Sequence, residues 1–575
     1  MKKLLKRLLA DLKNDQAPAL DFSVEYPRDD AHGHFSTNYA FLLAKKMNTN
    51  PRESASAVLS ELEKNPEFSA NFSASIAGAG FINFHITNGA ILRMLGMITK
   101  AGEKYGKSKQ LGGEKIMVEY AQPNPFKSFH IGHLRNVVIG ESLARILENA
   151  GATVIRTNYQ GDIGLHVAKC FFGMGKQPLA KIPDSVDERV LYLASCYVLG
   201  AKAYKEDEEA RAVIHDLNKK IYAMDPEVKE EWEEKRKWSL DKFEAIFKRV
   251  DSKFDRYYFE SEMFEAGLKK AKEALERGIF IEDDNCLVFP GEKHGLNRRV
   301  FVNKLGIPTY EGKELGLAMR EFTDFGNIDR VIHVVANEQI NFFKVTFLAE
   351  KMLEPELIDD KQRHLSYGLV TLKGGKMSSR EGNVILGETI LDTAGQEIQK
   401  ILSARDEDIK AEEKETISEI VALAAVKYSF LKISTLKDMV FDINESIRME
   451  GQSGPYVLYS YVRAVSILKK AEKDMASFDM SGMEGKLVEP EKALIYEISK
   501  FEDLTADIAE NFQLAILADY SYNLANSFAQ FYDACPVLNE KDEAIKAFRL
   551  ELVEAFRITL GRCLDLMGIK RIEKM

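Results

Sequence analysis

The 575-residue chain has few cysteines, and none of them belongs to a recognisable pair. The five form no Cys-x-x-Cys motif, their number is odd, and the usual zinc-ligand spacings are absent. We therefore expect no bound zinc and no disulfide framework. The thiols should be reduced, as in a cytosolic protein, and used mostly in packing; they are Cys170, Cys196, Cys286, Cys535 and Cys563.

Long apolar runs are also missing. The N-terminal stretch MKKLLKRLLADLK superficially resembles a signal peptide, but its basic residues interrupt the leucines, so it has no continuous apolar core. The leucines instead fall on one face of a helix. No run is long enough to span a bilayer, so the sequence predicts a soluble, cytoplasmic protein.

The chain also lacks repeats, low-complexity tracts and a strong excess of charge. Its formal net charge is −10, which neither predicts nor excludes a nucleic-acid partner, because local basic patches can still bind RNA. Hydrophobic residues are 45% and charged residues 29%, as in ordinary globular proteins. The length allows three or four domains, each with its own core.

The most informative stretch is KIMVEYAQPNPFKSFHIGHLRNVVI, residues 115–139. Alternating apolar residues predict a strand, a proline- and asparagine-rich segment predicts a turn, and the following apolar run predicts a helix. His130 and His133 flank Gly132 where that helix begins. A helix N-terminus attracts phosphate, glycine admits a flat ligand, and imidazoles can donate to developing charge. The pattern indicates a nucleotide site, although two histidines beside a turn are often ordinary surface or core residues.

A second segment, GGKMSSREGN at residues 374–383, is rich in glycine, positive charge and hydroxyl groups. Such a loop can close over a triphosphate and follow the charge onto departing pyrophosphate. An isolated basic loop is more often a solvated surface segment. The two segments in this order are much more specific than either one alone.

HIGH followed by KMSSR resembles the signature pair of the class I aminoacyl-tRNA synthetases. The stretch VEYAQPNPFKSFHIGHLRN resembles arginyl-tRNA synthetase specifically, and the resemblance continues at NYQGDIG, GPYVLYSYVR and the ending CLDLMGIKRIEKM. It spans essentially the whole chain. The resemblance implies a multidomain α/β protein with a Rossmann-like nucleotide-binding catalytic domain, a helical insertion, a small N-terminal α+β domain and a C-terminal α-helical bundle.

The resemblance also suggests domain boundaries and tRNA contacts. Residues 1–105 would form an additional tRNA-contacting domain, 106–395 the catalytic domain with an insertion around 170–300, and 396–575 the anticodon-binding domain. Phe35 and Asn38 match an aromatic and an asparagine that the family often carries in the first domain. Tyr456, Tyr459 and Arg463 are the candidate contacts in the last domain. Each of these side chains could equally pack its own domain.

The reaction that the resemblance implies has two steps: ATP activates arginine to arginyl-adenylate, and arginine is then transferred to the 3′-terminal adenosine of tRNA-Arg. Positioning and charge stabilisation would supply most of the rate. Mg²⁺ should accompany ATP, and the expected form is a monomer. The candidate catalytic and ATP-binding residues are His130, Gly132, His133, Lys376, Met377, Ser378, Ser379 and Arg380.

Position 379 departs from the commoner family pattern K-M-S-K-S, whose second lysine contacts the triphosphate. Ser379 cannot neutralise phosphate charge. Lys127 lies three residues before His130, where the resembled family often has lysine, and is the candidate to supply that charge from the opposite side of ATP. Arg380 is the alternative.

Arginine binding requires acceptors for a planar guanidinium with five donors, and carboxylates meet it best. Glu119 and Asn124 fall where the family places substrate contacts. A further acidic contact follows a tyrosine by four residues, which here gives Tyr310 and Glu314, with glutamate in place of the usual aspartate. Gln339 is an additional candidate.

Other functions stay open at this point. A small adenylyltransferase can carry an HxGH site, but such chains are typically single domains. A catalytically silent, synthetase-like RNA-binding protein would not need both signatures. Within the synthetases, the cysteine and glutamate enzymes are the nearest alternatives. The insertion is too short for a separate editing domain, and a site built for a charged planar group needs none.

Overall fold

The computed structural model describes residues 1–12, 20–27, 32–373, 385–405, 410–471 and 482–575. Helices in these ranges are α1 (Lys2–Ala10), α2 (Tyr39–Met47), α3 (Pro51–Glu63), α4 (Pro66–Asn71), α5 (Asn88–Ala101), α6 (Ile131–Asn149), α7 (Leu165–Lys176), α8 (Val186–Glu206), α9 (Glu208–Tyr222), α10 (Pro226–Arg249), α11 (Glu260–Glu276), α12 (Tyr310–Asp324), α13 (Ile340–Leu353), α14 (Pro355–Ile358), α15 (Gly387–Arg405), α16 (Ala411–Leu431), α17 (Ile443–Ser446), α18 (Gly454–Lys470), α19 (Glu489–Ser499), α20 (Phe501–Asn511), α21 (Ala515–Ala534) and α22 (Glu543–Leu566). Strands are β1 (Val24–Glu25), β2 (Phe35–Thr37), β3 (Phe72–Ala77), β4 (Phe81–Ile86), β5 (Lys115–Glu119), β6 (Thr153–Gln160), β7 (Arg256–Phe259), β8 (Ile281–Asp283), β9 (Cys286–Phe289), β10 (Arg299–Val302), β11 (Arg330–Ala336), β12 (Gln362–Tyr367), β13 (Val370–Leu372) and β14 (Met439–Phe441).

The N-terminal segment combines helices with a four-stranded antiparallel sheet, ordered β1-β2-β4-β3. Strands β3 and β4 form an antiparallel hairpin. Asn50 and Asn65 cap α3 and α4 by accepting backbone N–H bonds, and each is followed by proline in the first helical turn. The predicted α+β fold of this segment is confirmed.

Five parallel strands form the central sheet in the order β12-β11-β5-β6-β7. After β5 the chain builds β6 and β7 on one side, and it later returns to place β11 and β12 on the other. This reversal is a topological switch point, where the carboxyl ends of adjacent strands leave a crevice for ligands. Residues 116–118 of β5 are fully buried, as expected for a parallel strand covered on both faces. The predicted Rossmann-like fold is confirmed.

Residues 367–372 do not form one continuous strand. β12 ends at Tyr367, and β13 begins at Val370 and pairs with β14 instead of the central sheet. At the break, the Gly368 N–H donates to the carbonyl of Thr435 at 2.7 Å. A Cβ at position 368 would lie 2.3 Å from the backbone of Lys437, so the close approach requires glycine.

The insertion expected around residues 170–300 is not continuous. Helices α8, α9 and α10 form one added unit, but β7 lies within that range and joins the central sheet beside β6. The antiparallel sheet β10-β9-β8 forms a second added unit after α11. Residues 201–250 belong to the unit of α8, α9 and α10, in which Asp207 and Asp225 each cap a new helix.

The C-terminal third is helical, as predicted. Helices α16, α18, α21 and α22 pack together, and α16 and α22 also pack on α6 of the catalytic fold. Helices α19 and α20 are separated at Lys500, whose N–H donates to the carbonyl of Glu497. Within the ranges that the structure describes, no helix is both long and apolar enough to cross a membrane.

Candidate active site

His130 and His133 cap α6 at the carboxyl edge of the central sheet. The Nδ1 atom of His130 accepts the His133 backbone N–H at 3.4 Å, and the Nδ1 atom of His133 accepts the His130 N–H at 3.2 Å. This reciprocal cap stacks the rings with centroids 3.7 Å apart. Because Nδ1 is the acceptor in both rings, the hydrogen of each neutral imidazole is on Nε2.

Both imidazoles are neutral at physiological pH. Burial, followed by the charge of Lys127, lowers the pKa of His130 to about 4. Burial also lowers the pKa of His133 well below its ordinary value, with His130 and Lys127 adding to the effect. The two rings are therefore uncharged hydrogen-bond donors fixed in orientation by the helix that they cap.

The loop between β5 and α6 is strained. Ala121, Gln122 and Phe126 have φ values of 79°, 52° and 67°, a region that residues other than glycine rarely adopt. The Ala121 N–H donates to the side-chain oxygen of Asn136 at 2.7 Å, and the Gln122 N–H to that of Asn158 at 3.1 Å. Strain of this kind persists only where neighbouring groups hold it, and it concentrates at functional sites.

A cavity of about 740 Å³, here called the histidine cavity, opens between this loop and α8. It brings together Lys127, His130 and His133, and Leu386 borders it. The Lys127 ammonium lies 5.4 Å from the centroid of the Tyr197 ring on α8. The volume falls in the range of small-molecule sites.

The signature-loop residues Lys376, Met377, Ser378, Ser379 and Arg380 lie outside the described part of the chain. The residues that follow them are described and contact the histidine turn. The Ile131 N–H donates to the Ile385 carbonyl at 3.1 Å, and the Gly387 N–H to the Phe129 carbonyl at 3.0 Å. The described chain therefore resumes at Ile385 directly beside the HIGH sequence. Gly132 is in the same turn, where a Cβ would lie 3.0 Å from the His130 ring.

Both predicted arginine-binding carboxyls are buried at the same sheet edge. Glu119 ends β5, is 2% exposed, and accepts a bond from the Gln122 side chain at 2.6 Å. Glu314 lies on α12 and is 6% exposed. Burial, followed by the charges of Glu350 and Glu119, raises the pKa of Glu314 well above its ordinary value. The two carboxyls are thus brought within electrostatic reach of each other.

The other predicted arginine contacts border this region. The side-chain oxygen of Asn124 accepts the Gly161 N–H at 2.9 Å, which ties the loop to the end of β6. Tyr310 opens α12, is 63% exposed, and lies one helical turn before Glu314. Gln339 is exposed in a short 3₁₀ turn after β11, at the same edge of the sheet.

Sequence reasoning missed a third carboxyl, Glu260. It begins α11 directly after β7, is 4% exposed, and forms a buried ion pair with Lys313 of α12. Burial, opposed by the charge of Lys313, leaves its pKa raised. We call the region around the three carboxyls Glu119, Glu260 and Glu314 the acidic crevice. The signal for Glu260 was an acid at the carboxyl end of a strand, but it could be recognised only once β7 was known to join the sheet.

A histidine that the sequence did not single out contacts Glu119 of the acidic crevice. His333 of β11 pairs with Glu119 across the sheet, and its Nδ1 is 3.3 Å from the Glu119 carboxylate. Its Nε2 is 3.8 Å from the carboxylate of Glu321 on α12, which is fully buried. The His333 contact therefore helps to fix the orientation of the Glu119 carboxylate.

The predicted tRNA contacts in the N-terminal segment require a correction. Phe35 is 1% exposed and packs against the rings of Phe72 and Tyr496, so it is a core residue that offers no surface to RNA. The side-chain oxygen of Asn38 accepts the Ser23 N–H at 3.0 Å, which links the residue before α2 to the residue before β1.

The candidates on α18 differ in accessibility. Tyr459 is 37% exposed, and the Arg463 guanidinium lies 5.2 Å from the centroid of its ring. The Tyr456 hydroxyl donates to the Asn526 side chain at 2.9 Å, within the bundle. Tyr459 and Arg463 therefore form the accessible pair on this helix.

Comparisons with known proteins agree along the chain. Residues 96–443 match the family model described as tRNA synthetases class I (R), catalytic domain. Residues 457–575 match the DALR anticodon binding domain, and residues 1–86 match the arginyl tRNA synthetase N terminal domain.

Individual relatives cover nearly the whole chain. The arginine–tRNA ligase of Treponema pallidum is 31% identical over 93% of this chain and 92% of its own length. That of Treponema denticola is 30% identical over 99% of both chains. In fold, the chain is similar to the Thermus thermophilus arginyl-tRNA synthetase, with TM-score 0.84, 24% identity and complete coverage of both chains. The Plasmodium falciparum arginyl-tRNA synthetase gives TM-score 0.78 at 22% identity, covering 100% of this chain and 99% of that one.

Proposed function

The chain belongs to the arginyl-tRNA synthetase family, and on that premise we propose that its arginine site is the acidic crevice and its ATP site the adjoining histidine cavity. The enzyme activates arginine with ATP and transfers it to the 3′-terminal adenosine of tRNA. The observation that carries the placement is the approach of the two sites at Gly161: Asn124, which lines the histidine cavity, and the buried Glu260 carboxyl both lie beside this glycine.

Arginine binding relieves an electrostatic cost in the acidic crevice. Burial raises the pKa of Glu260 and Glu314 because their charged forms are poorly solvated there. A guanidinium can meet such carboxylates through a planar fork of five donors. Tyr310 and Asn124 border the entrance, and Gln339 lies at the same sheet edge.

Adenylate formation requires stabilisation of charge on the α-phosphate and on departing pyrophosphate. His130 and His133 present Nε2 hydrogens from the N-terminus of α6, where backbone N–H groups and the helix dipole also favour anions. Lys127 supplies a fixed positive charge on the same cavity wall. We assign Gly132 to the adenosine side, and Lys376, Met377, Ser378, Ser379 and Arg380 to the β- and γ-phosphates. Mg²⁺ would arrive on the triphosphate oxygens.

We also propose the division into residues 1–105, 106–395 and 396–575, a monomeric form, no zinc, and a cytoplasmic location. In the helical domain, Tyr459 and Arg463 are the proposed tRNA contacts, and Tyr456 supports them from the bundle side. Asn38 stays a candidate contact in the first domain.

Exchange of pyrophosphate into ATP, with each amino acid in turn and with or without tRNA, tests the proposed function. We expect arginine alone to support exchange. Citrulline, which lacks the positive charge, should be a poor substrate. Exchange driven instead by glutamate or cysteine would contradict the assignment of the acidic crevice to arginine.

A further inference from the structure

Lys313 occupies an unusual place for a lysine. It is 3% exposed on α12, between Gly312 and the proposed guanidinium-binding Glu314, and its ammonium pairs with the Glu260 carboxylate. Burial is the largest influence on its pKa and would lower it, but the charge of Glu260, the hydrogen bond to Glu260 and the neighbouring Tyr222 together leave the pKa raised. Lys313 is therefore a permanent cation inside the protein.

The ammonium of Lys313 lies among the groups proposed to bind arginine. It is 4.7 Å from the centroid of the Tyr310 ring. Its partner Glu260 and the Asn124 side chain both border Gly161: a Cβ built there would be 2.8 Å from Asn124 Oδ1 and 3.2 Å from Glu260 Oε1. The charge of Glu260 also acts on Glu314. An incoming guanidinium thus reaches a carboxylate that already holds an internal ammonium.

The two cations differ in what they can offer to the acidic crevice. An ammonium is a compact point charge, whereas a guanidinium presents five donors in a plane and can engage two carboxyl groups at once. Arginine can replace the single Lys313 contact with a wider set of bonds to Glu260 and Glu314. Free lysine or ornithine would only exchange one ammonium for another. A displaced Lys313 ammonium still has the Tyr222 hydroxyl and the Tyr310 ring within reach.

We propose that Lys313 is an internal competitor that holds Glu260 until the guanidinium of arginine displaces it, and that this competition excludes amino acids ending in a single ammonium. The inference rests on the proposed arginine site. It makes Lys313 a specificity-determining residue of the activation step, and the substrates that it excludes are lysine, ornithine and related amines.

The test compares Lys313→Met and Lys313→Arg with wild type in pyrophosphate exchange. Lys313→Met removes the competitor, so the arginine KM should stay equal or fall, and the preference for arginine over lysine and ornithine should drop about tenfold or more. Lys313→Arg strengthens the competitor and should raise the arginine KM by about the same factor. Lys270→Met is the matched control, because Lys270 is an ion-paired lysine on α11 outside the crevice; its preference should equal that of wild type.

A purely structural role for Lys313 predicts the opposite order. Lys313→Arg would then preserve the arginine KM, Lys313→Met would raise it, and the preference over lysine would not change. That result overturns the proposal. Glu260→Gln and Glu314→Gln separate this failure from a misplaced site: if neither raises the arginine KM, the proposed arginine site itself is wrong, whereas a rise in both together with the structural order for Lys313 rejects the competitor alone.

Discussion

His130 and His133 have both a structural and a chemical role, and the two roles use different nitrogen atoms. The Nδ1 atoms cap α6, whereas the Nε2 hydrogens are left for the ligand. Alanine substitution would therefore remove a helix cap as well as a phosphate donor. Loss of an N-cap side chain typically costs about 1 kcal/mol of stability, so the catalytic role needs a variant that keeps the cap.

His130→Asn provides that variant, because asparagine is a good N-cap residue but lacks the Nε2 donor. We expect His130→Asn to retain thermal stability better than His130→Ala. In both variants the free-energy barrier to arginine activation should rise by roughly 3–4 kcal/mol, as when one transition-state donor is removed. Denaturation and pyrophosphate exchange measure the two effects. Near-normal exchange by His130→Asn, with exchange also preserved in His133→Ala, would remove the histidines from the mechanism.

Single residues show what the sequence could and could not predict. His130 and His133 follow from local strand-to-helix patterning, whereas Glu119 was implied by the family resemblance; the structure brings all three to one sheet edge. Glu260 depends on a contact between distant strands, so no local pattern identified it. Phe35 matches an aromatic residue that the family often carries in this domain, but only tertiary packing determines that its ring is buried.

At the scale of elements, the HIGH turn is linked by backbone hydrogen bonds to Ile385 and Gly387, which follow the signature loop in sequence. The sequence predicted that the two segments act together, but the break between β12 and β13 depends on the close approach of Gly368 to residue 437. Likewise, the added helices end where aspartate caps begin new ones. Such boundaries arise from tertiary contacts and caps rather than from hydrophobic periodicity.

Substitution of Lys127 tests whether the loop before α6 supplies the positive charge that Ser379 lacks. Because serine carries no charge, we expect Lys127→Ala to lose most pyrophosphate exchange, and the double variant Lys127→Ala, Ser379→Lys to recover part of it. Exchange is measured at saturating arginine for both single variants and the double variant. Normal exchange by Lys127→Ala would reject compensation by Lys127 and make Arg380 the better candidate.

Helix α18 offers a focused test of tRNA binding. Tyr459→Ala and Arg463→Ala should each raise the KM for tRNA, with a stacking or phosphate contact worth about 1–3 kcal/mol, while the KM for ATP stays constant. Tyr461→Phe is the control, since Tyr461 is a buried tyrosine of the same helix. Equal KM values for tRNA in all three variants, with unchanged discrimination between tRNAs with altered anticodons, would place the anticodon contact elsewhere.

At the scale of the whole molecule, the helical bundle makes direct contacts with the other parts of the chain. The Ser142 hydroxyl of α6 donates to the Leu566 carbonyl of α22 at 2.9 Å, and the Tyr496 hydroxyl donates to the His34 carbonyl of the N-terminal segment at 2.7 Å. The bundle therefore packs on both other parts of the chain. Ending the chain near residue 400 would expose the α6 surface that α16 covers, so point variants test tRNA binding more cleanly than truncation.

Lys427 of α16 is buried where the helical bundle meets the end of α10. Its ammonium donates to the carbonyls of Val250 and Gly568. Burial, with the charge of Arg145, lowers its pKa from 10.5 to about 8. The unfolded chain thus binds more protons between these values, so stability rises with pH there. The stability of wild type relative to Lys427→Met should increase across that window by up to about 3 kcal/mol. Thermal unfolding at about pH 7 and 10 measures it; parallel pH dependence in both proteins would contradict the burial of a charged Lys427.

The central claim is that arginine is bound through buried carboxyls beside the histidine cavity. Its most direct test is the arginine and ATP dependence of pyrophosphate exchange by wild type and Glu314→Gln, with tRNA present. Because the substitution removes charge from a guanidinium contact, we predict that the KM for arginine rises by about tenfold or more while the KM for ATP changes little. An unchanged KM for arginine in Glu314→Gln would contradict the account.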